Sequence, residues 1–247
     1  MSREQLEGRN PIYECFAREK RRVFRVWIDR GARLDDRLNG ILAAAKAKQV
    51  EVKYCARREL DERAHGRVHN GIIAEVEAMS SWTTKSFLDD LFARQEDPFI
   101  ILMADCAYEH NLGAVMRSSL GFGAHAVILP TRKGASVSPV VQRVAMGAAE
   151  VVPVIREGMN SALKHIRKAG IPVVGAAMGG RPLRKCRLAG PLAILLGGEG
   201  AGLSDNLIKR CDYQVAIPLA GDLESLNVSV AAAVLMYEKR IQDGWYA

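Results

Sequence analysis

The sequence predicts an α/β protein in two parts: a small alternating α/β unit over residues 1–79 and a larger domain over 98–247 built on a parallel sheet. Three observations predict it. From Phe99 onward, short wholly apolar runs alternate with segments that are apolar at helical spacing, the pattern of a parallel sheet covered on both faces. Residues 80–97 turn polar and acidic before Pro98, which marks a linker with one short helix. At 247 residues the chain is long enough for two modest cores.

In chain order, the first part reads as a helix near Pro11 to Arg18, a strand at Val23 to Ile28 and a helix from Asp35 to Lys48. A strand at Val50 to Tyr54, a helix near Glu59 and a strand at Gly71 to Val76 complete it. The second part begins with a strand at Phe99 to Met103, a helix from Leu112 to Leu120, a strand at His125 to Leu129 and a helix from Pro139 to Met146. Val151 to Ile155, a helix from Asn160 to Lys168, and strands at Pro172 to Ala176 and Leu192 to Leu196 follow. A helix near Asp205 to Lys209, a strand at Gln214 to Ile217 and a terminal helix to about Ile241 close the chain.

Composition bounds the function. The net charge of +7 favours a polyanionic partner, and basic residues cluster at Arg18, Lys20, Arg21, Arg22 and Arg25 and again at Arg181, Arg184, Lys185 and Arg187. Such runs are either solvated faces or contacts to a phosphate backbone. No apolar run has the length of a membrane span and the N-terminus lacks the apolar core of a signal peptide, so a cytoplasmic, non-membrane protein is expected. The five cysteines stand singly, away from the histidines, which points to reduced thiols and no metal site; Cys106, just past a strand, has no histidine partner to make it a nucleophile. Gly121-Phe122-Gly123-Ala124-His125-Ala126 matches a dinucleotide fingerprint in letters only, because it ends a helix and enters a strand.

Three polar islands break the apolar rhythm. Asn111-Leu112-Gly113-Ala114-Val115-Met116-Arg117 puts one arginine in the first turns of a mostly apolar helix. Leu195-Leu196-Gly197-Gly198-Glu199-Gly200-Ala201-Gly202 empties a buried strand into a glycine loop around one carboxylate. Ile217-Pro218-Leu219-Ala220-Gly221 leads to Ser225-Leu226-Asn227-Val228-Ser229, where Ser225 and Asn227 stand at N-cap positions of the last helix. Glycines at this density let backbone approach a ligand or another segment, and each island follows an apolar run, at the end of the strands where open parallel sheets bind ligands.

In order and content these islands resemble the three motifs of the TrmH-type branch of the SPOUT superfamily, the knotted RNA ribose 2'-O-methyltransferases. The resemblance covers residues 98 to 247. It implies a parallel-sheet SPOUT domain whose last loops thread into a trefoil knot, an exception to the rule against knots. It implies S-adenosylmethionine as cofactor, seated on Ala176, Ala177 and Met178, on Leu196, Gly197 and Gly200, and on Ile217, Leu219 and Leu226.

The same resemblance assigns the catalytic role to Arg117. A guanidinium stays protonated, which suits an electrostatic stabiliser or phosphate clamp better than a base. Asn111 is expected to cap its helix and to contact RNA or Arg117. Glu199 either fixes its loop through backbone N–H groups or holds a cation such as Arg117, and Ser225 and Asn227 present polar groups to the ribose or to Arg117. One departure is local: relatives often have Ser-x-Gly-Ala where this chain has Ala145-Met146-Gly147-Ala148.

Gly8-Arg9-Asn10-Pro11-Ile12 and His69-Asn70-Gly71-Ile72-Ile73-Ala74 resemble the ribosomal-protein-like substrate-binding domain of many TrmH-like enzymes, with Asn70 where relatives often have Gln. This implies an RNA-binding module, the alternative being a plain folding or dimerisation domain. The expectation is a homodimeric methyltransferase acting on a ribose 2'-hydroxyl of large-subunit rRNA. The alternatives are a tRNA 2'-O-methyltransferase, a non-catalytic RNA-binding or ribosome-assembly protein on the same fold, and, more remotely, a small-molecule methyltransferase.

Overall fold

The computed structural model describes residues 2–131, 135–198, 202–221 and 223–245. It contains two compact units: the chain up to Ser80 together with Val137–Val151, and Ser81–Ser136 together with the chain from Val152.

The first unit runs β1 (Arg3–Glu7), α1 (Arg9–Arg18), β2 (Val23–Asp29), α2 (Asp36–Ala47), β3 (Glu51–Cys55), α3 (Arg57–Arg63) and β4 (Ile72–Glu77). Its four strands form one sheet in the order β1-β4-β2-β3, with β2 and β3 parallel and the other pairs antiparallel. Ile12 and Phe16 of α1 and Leu38 and Ile41 of α2 cover one face over Val26, Ile28, Ile72 and Ala74; Leu60 and Ala64 meet Trp27 and Ile73 on the other. The Asp35 carboxylate caps α2 by accepting the Leu38 N–H at 2.8 Å.

Strand β1 was not expected. Arg3-Glu4-Gln5-Leu6-Glu7 has the charged composition of an edge strand and is ordered by pairing with β4, which its own sequence does not announce. The two islands around Gly8 and Asn70 meet at one corner: Gly8 N–H donates to Ile72 O at 3.1 Å, and a Cβ on Gly8 would lie 3.7 Å from Asn70 Nδ2. Asn70 and Gly71 both have left-handed φ, 51° and 78°, and Asn is among the non-glycine residues that tolerate that region best.

The second unit begins with α4 (Thr84–Ala93), β5 (Phe99–Met103), α5 (Glu109–Gly121) and β6 (Ala126–Leu129). The chain then passes through α6 (Pro139–Val144) and a short 3-10 turn, Ala148–Glu150, which pack on the first unit although they lie in sequence beyond Pro98. A buried ion pair accounts for this. Arg21 Nε donates to Glu150 Oε2 at 2.8 Å and a second guanidinium nitrogen reaches the other oxygen, while Nη1 donates to Glu4 at 2.6 Å and to Glu77 O at 3.1 Å. Arg21, one of the clustered cations of the sequence, is therefore inside the unit and unavailable to a nucleic acid.

The chain continues through β7 (Val154–Arg156), α7 (Met159–Lys168), β8 (Val173–Pro182), β9 (Leu192–Leu196), α8 (Asp205–Ile208), β10 (Tyr213–Ala216) and α9 (Val228–Gln242). Six strands form an all-parallel sheet in the order β10-β8-β9-β5-β6-β7. Every residue of β5, β6 and β9 is buried, as wholly apolar runs require when both faces are covered. The helix expected within a linker is a full member of this core. Thr83 and Ser86 form a capping box at the start of α4, and Phe87, Leu88 and Leu91 pack with Ile100, Leu102, Ile128, Leu163, Ile166 and Leu195. No helix among the described residues is long and apolar enough to cross a membrane.

Candidate active site

Two helices begin beside each other at the C-terminal ends of the parallel strands. Asn227 caps α9: its Oδ1 accepts the Ser229 N–H at 2.9 Å and the Ser229 hydroxyl at 2.6 Å. The same side chain donates from Nδ2 to Asn111 Oδ1 at 3.1 Å. At the other end of the pair, Arg240 of α9 donates to Phe122 O at 2.6 Å and Gly123 O at 2.8 Å, closing the C-terminus of α5. With contacts at both ends, α5 and α9 lie side by side and parallel, their N-termini together. Asn111 does not cap α5. That helix starts at Glu109, two residues before Asn111, so the Asn111 amide reaches Asn227 from within the first turn.

The loops beside these helices are shaped by glycine. Along β8 and β10 the pairing runs Tyr213 with Val174 and Gln214 with Gly175, then jumps to Val215 with Arg181 and Ala216 with Pro182. One step on β10 thus spans a looped segment, residues 176–180, on β8. It closes at Gly180, where a Cβ would come within 2.7 Å of the Val215 backbone N and C. At the end of β9, a Cβ on Gly197 would sit 2.4 Å from the Gly202 carbonyl carbon and 2.7 Å from Leu203 N, and Gly198 bridges Gly202. No side chain fits at either crossing.

Of the residues expected to seat the cofactor, those described lie in the looped segment of β8, at or after the ends of β9 and β10 or, for Leu226, just before α9. Ala176 and Ala177 are half-buried in the looped segment beside exposed Met178; Leu196 is buried at the end of β9 with Gly197 after it; Ile217 and Leu219 follow β10 and Leu226 precedes α9, all three half-buried. Apart from buried Leu196 these side chains are at least partly exposed, and they leave apolar surface beside backbone that glycine allows a ligand to approach. Gly200 and Glu199 lie outside the described residues.

The candidate catalytic residues are only partly united. Asn111 and Asn227 are joined; Ser225 is exposed two residues before the α9 cap; Arg117 projects from the third turn of α5 into solvent, with no ion pair or hydrogen bond among the described residues. Cys106 is 2 % exposed, with its thiol facing Tyr108 O at 3.6 Å. Sequence reasoning missed Arg240, which fixes α9 against α5, and Gly180, whose only signal was the pair Gly179-Gly180. Among the described residues no three histidine, cysteine or acidic side chains gather as metal ligands.

Residues 98–237, more than half of the chain, match the SpoU rRNA methylase family. The chain belongs to that family. Residues 5–82 match the family described as RNA 2'-O ribose methyltransferase substrate binding. Among relatives of this SpoU family protein, the 23S rRNA (guanosine-2'-O-)-methyltransferase RlmB of Pseudomonas putida is 37% identical over 95% of both chains. The protein of the same name from Coxiella burnetii is 38% identical over 90% of this chain and 88% of its own. The SpoU methyltransferase AviRb from Streptomyces viridochromogenes, solved in complex with AdoMet, is 26% identical, with a TM-score of 0.77 over 96% of this chain and 88% of that one.

Proposed function

We infer that this SpoU family protein is an S-adenosylmethionine-dependent RNA methyltransferase that modifies a ribose 2'-hydroxyl, and that its substrate is a guanosine of large-subunit rRNA. The observation that carries the reading is the Asn227–Asn111 bond, which joins two helix N-termini on the side of the sheet where the glycine-shaped C-terminal strand ends lie. The near full-length similarity to the RlmB proteins, named for guanosine in 23S rRNA, supports the substrate.

A ribose 2'-hydroxyl is almost wholly un-ionised at neutral pH, so it must be oriented and its developing negative charge stabilised. When bound, S-adenosylmethionine supplies the methyl group as an electrophile. Ala176, Ala177, Met178, Leu196, Gly197, Gly200, Ile217, Leu219 and Leu226 would hold it. Arg117 stabilises charge on the ribose oxygen or clamps the adjacent phosphate, Asn111 and Asn227 orient the sugar, Ser225 offers a further hydroxyl, and Glu199 secures its loop.

Arg117 has nothing among the described residues of its own chain to hold it, which favours completion of the site by a second copy. Leu120 on α5 and Val230, Tyr237 and Ile241 on α9 are exposed apolar side chains on the paired helices and suit a homodimer contact. The trefoil threading is part of the same reading. It is supported by α9 packing on α5 after the chain leaves β10 at the sheet edge, and by the close crossing at Gly180. A ribosomal substrate supports a cytoplasmic location.

Ribose-methylation mapping of rRNA and tRNA tests this, in cells with and without the gene and with an Arg117→Ala copy. One 2'-O-methyl mark in 23S-type rRNA should vanish in both the deletion and the variant. A lost tRNA mark would move the substrate, and an unchanged map would turn the reading to a non-catalytic RNA-binding protein.

A further inference from the structure

At the opposite end of the second unit's sheet a concavity is lined almost entirely by cations. Helix α7 descends from β7 and ends where β8 begins, and Arg210 lies just before β10; Asp212 N–H donates to Val173 O at 2.8 Å and receives the Val173 N–H on Oδ2 at 2.7 Å, tying the two strand starts together. Between them lies an open hollow of about 380 Å³, bounded by Lys164, Arg167, Lys168 and Arg210, with Leu163 as its apolar wall.

These charges are not answered. Among the described residues Lys164, Arg167 and Lys168 make no ion pair or side-chain hydrogen bond, and Arg210 makes only a long one, 3.4 Å, to Asn206. Asp212, two residues after Arg210, accepts the Val173 N–H and, among the described residues, forms no ion pair with any of the four. Lys164 stands three and four residues before Arg167 and Lys168, a spacing at which like charges repel on a helix. The dipole of α7 favours cations in its last turn, which accounts for Arg167 and Lys168. It does not account for Arg210, which converges from another element.

We propose that this hollow binds phosphates of the RNA backbone, as a contact separate from the methyl-transfer site. Two guanidinium groups and two ammonium groups around one open concavity match phosphate oxygens, and the absence of a deep pocket suits a polymer crossing the surface. The hollow and the loops after β8, β9 and β10 are at opposite ends of strands that span roughly 15 Å. A substrate touching both is a folded RNA, so the contact selects structured RNA over short fragments. The proposal rests on the RNA-methyltransferase reading above.

The test compares Lys164→Gln/Lys168→Gln with Lys85→Gln/Arg94→Gln, which removes two charges from α4 that already meet carboxylates. Binding of a fluorescein-labelled, mixed-sequence RNA hairpin is measured across a salt series on the full chain, with methyl transfer to transcribed 23S-type rRNA alongside. The first pair should weaken hairpin binding about tenfold at low salt and flatten the log–log salt slope by about one to two, given roughly 0.7 to 0.9 per phosphate contact. KM for RNA should rise with kcat and S-adenosylmethionine affinity kept. Equal affinity and slope in the two pairs would overturn the proposal, as would tight binding of inorganic phosphate alone with no change in the RNA slope. If the wild-type protein binds the hairpin but methylates no RNA, it is the enzyme reading that fails, and the binding comparison still judges the hollow.

Discussion

Most arginines of the first unit answer carboxylates: Arg3 meets Glu75, Arg9 meets Asp35, Arg25 meets Glu51, Arg63 meets Glu59, and buried Arg21 holds Glu150 and Glu4. In the second unit Arg117, Lys164, Arg167 and Lys168 meet none among the described residues. The difference teaches that a positive total does not locate a nucleic-acid contact. Arg18, Arg21 and Arg25 of the denser cluster in sequence each face an acid, while among the described residues Lys164, Arg167 and Lys168, to which the sequence drew no attention, meet none, as do Arg117, Arg181, Lys185 and Arg187, to which it did. Exposed pairs such as Arg25–Glu51 are weak and can exchange a carboxylate for a phosphate; Arg21 cannot, because it is enclosed.

The sharpest way to break this contrast is at Arg21. Arg21→Ala leaves Glu150 buried without its partner and should cost about 3–5 kcal/mol in denaturant unfolding, whereas Arg21→Met with Glu150→Leu should recover most of it. A loss under 1 kcal/mol would mean that the pair is not the clamp on residues 137–151. Arg117→Ala should leave the unfolding midpoint unmoved but lower kcat by about 10²–10³, the scale for removing one charge-stabilising donor. Retained turnover would return Arg117 to the class of idle surface arginines.

Gly197→Ala should reduce S-adenosylmethionine affinity by about tenfold or more, roughly 1.4 kcal/mol, because its Cβ meets backbone that cannot step aside. Calorimetric binding indistinguishable from wild type would remove this loop from the cofactor seat. Arg25→Gln should change stability by less than about 1 kcal/mol, as an exposed pair allows.

The smallest effect concerns His125. Burial holds its pKa below the usual histidine range, against the opposing pull of Glu96, and its Nδ1 accepts the Phe99 N–H at 2.9 Å. The unfolded chain therefore binds the proton more readily. Stability from this group is present above the ordinary histidine pKa and is lost as pH falls through it toward the lower folded value. Melting temperatures at neutral and mildly acidic pH should diverge less in His125→Gln than in wild type; equal divergence would assign the acid sensitivity to other groups.

The parallel sheet was legible because β5, β6 and β9 are apolar on both faces, a pattern with few other solutions. Strand β1 was not, since a charged edge strand carries no periodicity of its own and exists only through β4. Helix α4 was legible as a helix but not as part of a core, because Phe87, Leu88 and Leu91 acquire that meaning only against β5 and α7. Asn227 was legible as a cap, and Asn111 was misplaced by one turn start, an error that concealed the bond between them.

The sequence by itself determined the alternation of strands and helices, the glycine loops at the strand ends and the motifs that name the family, because all of these are local patterns of size, polarity and backbone freedom. Tertiary structure alone decided that residues 137–151 join the first unit, that residues 176–180 leave the β8–β10 ladder, and which cations are answered. Those outcomes depend on which distant group fills a buried position or faces a charge. Coulomb attraction and steric exclusion act through space, and spacing along the chain does not encode them.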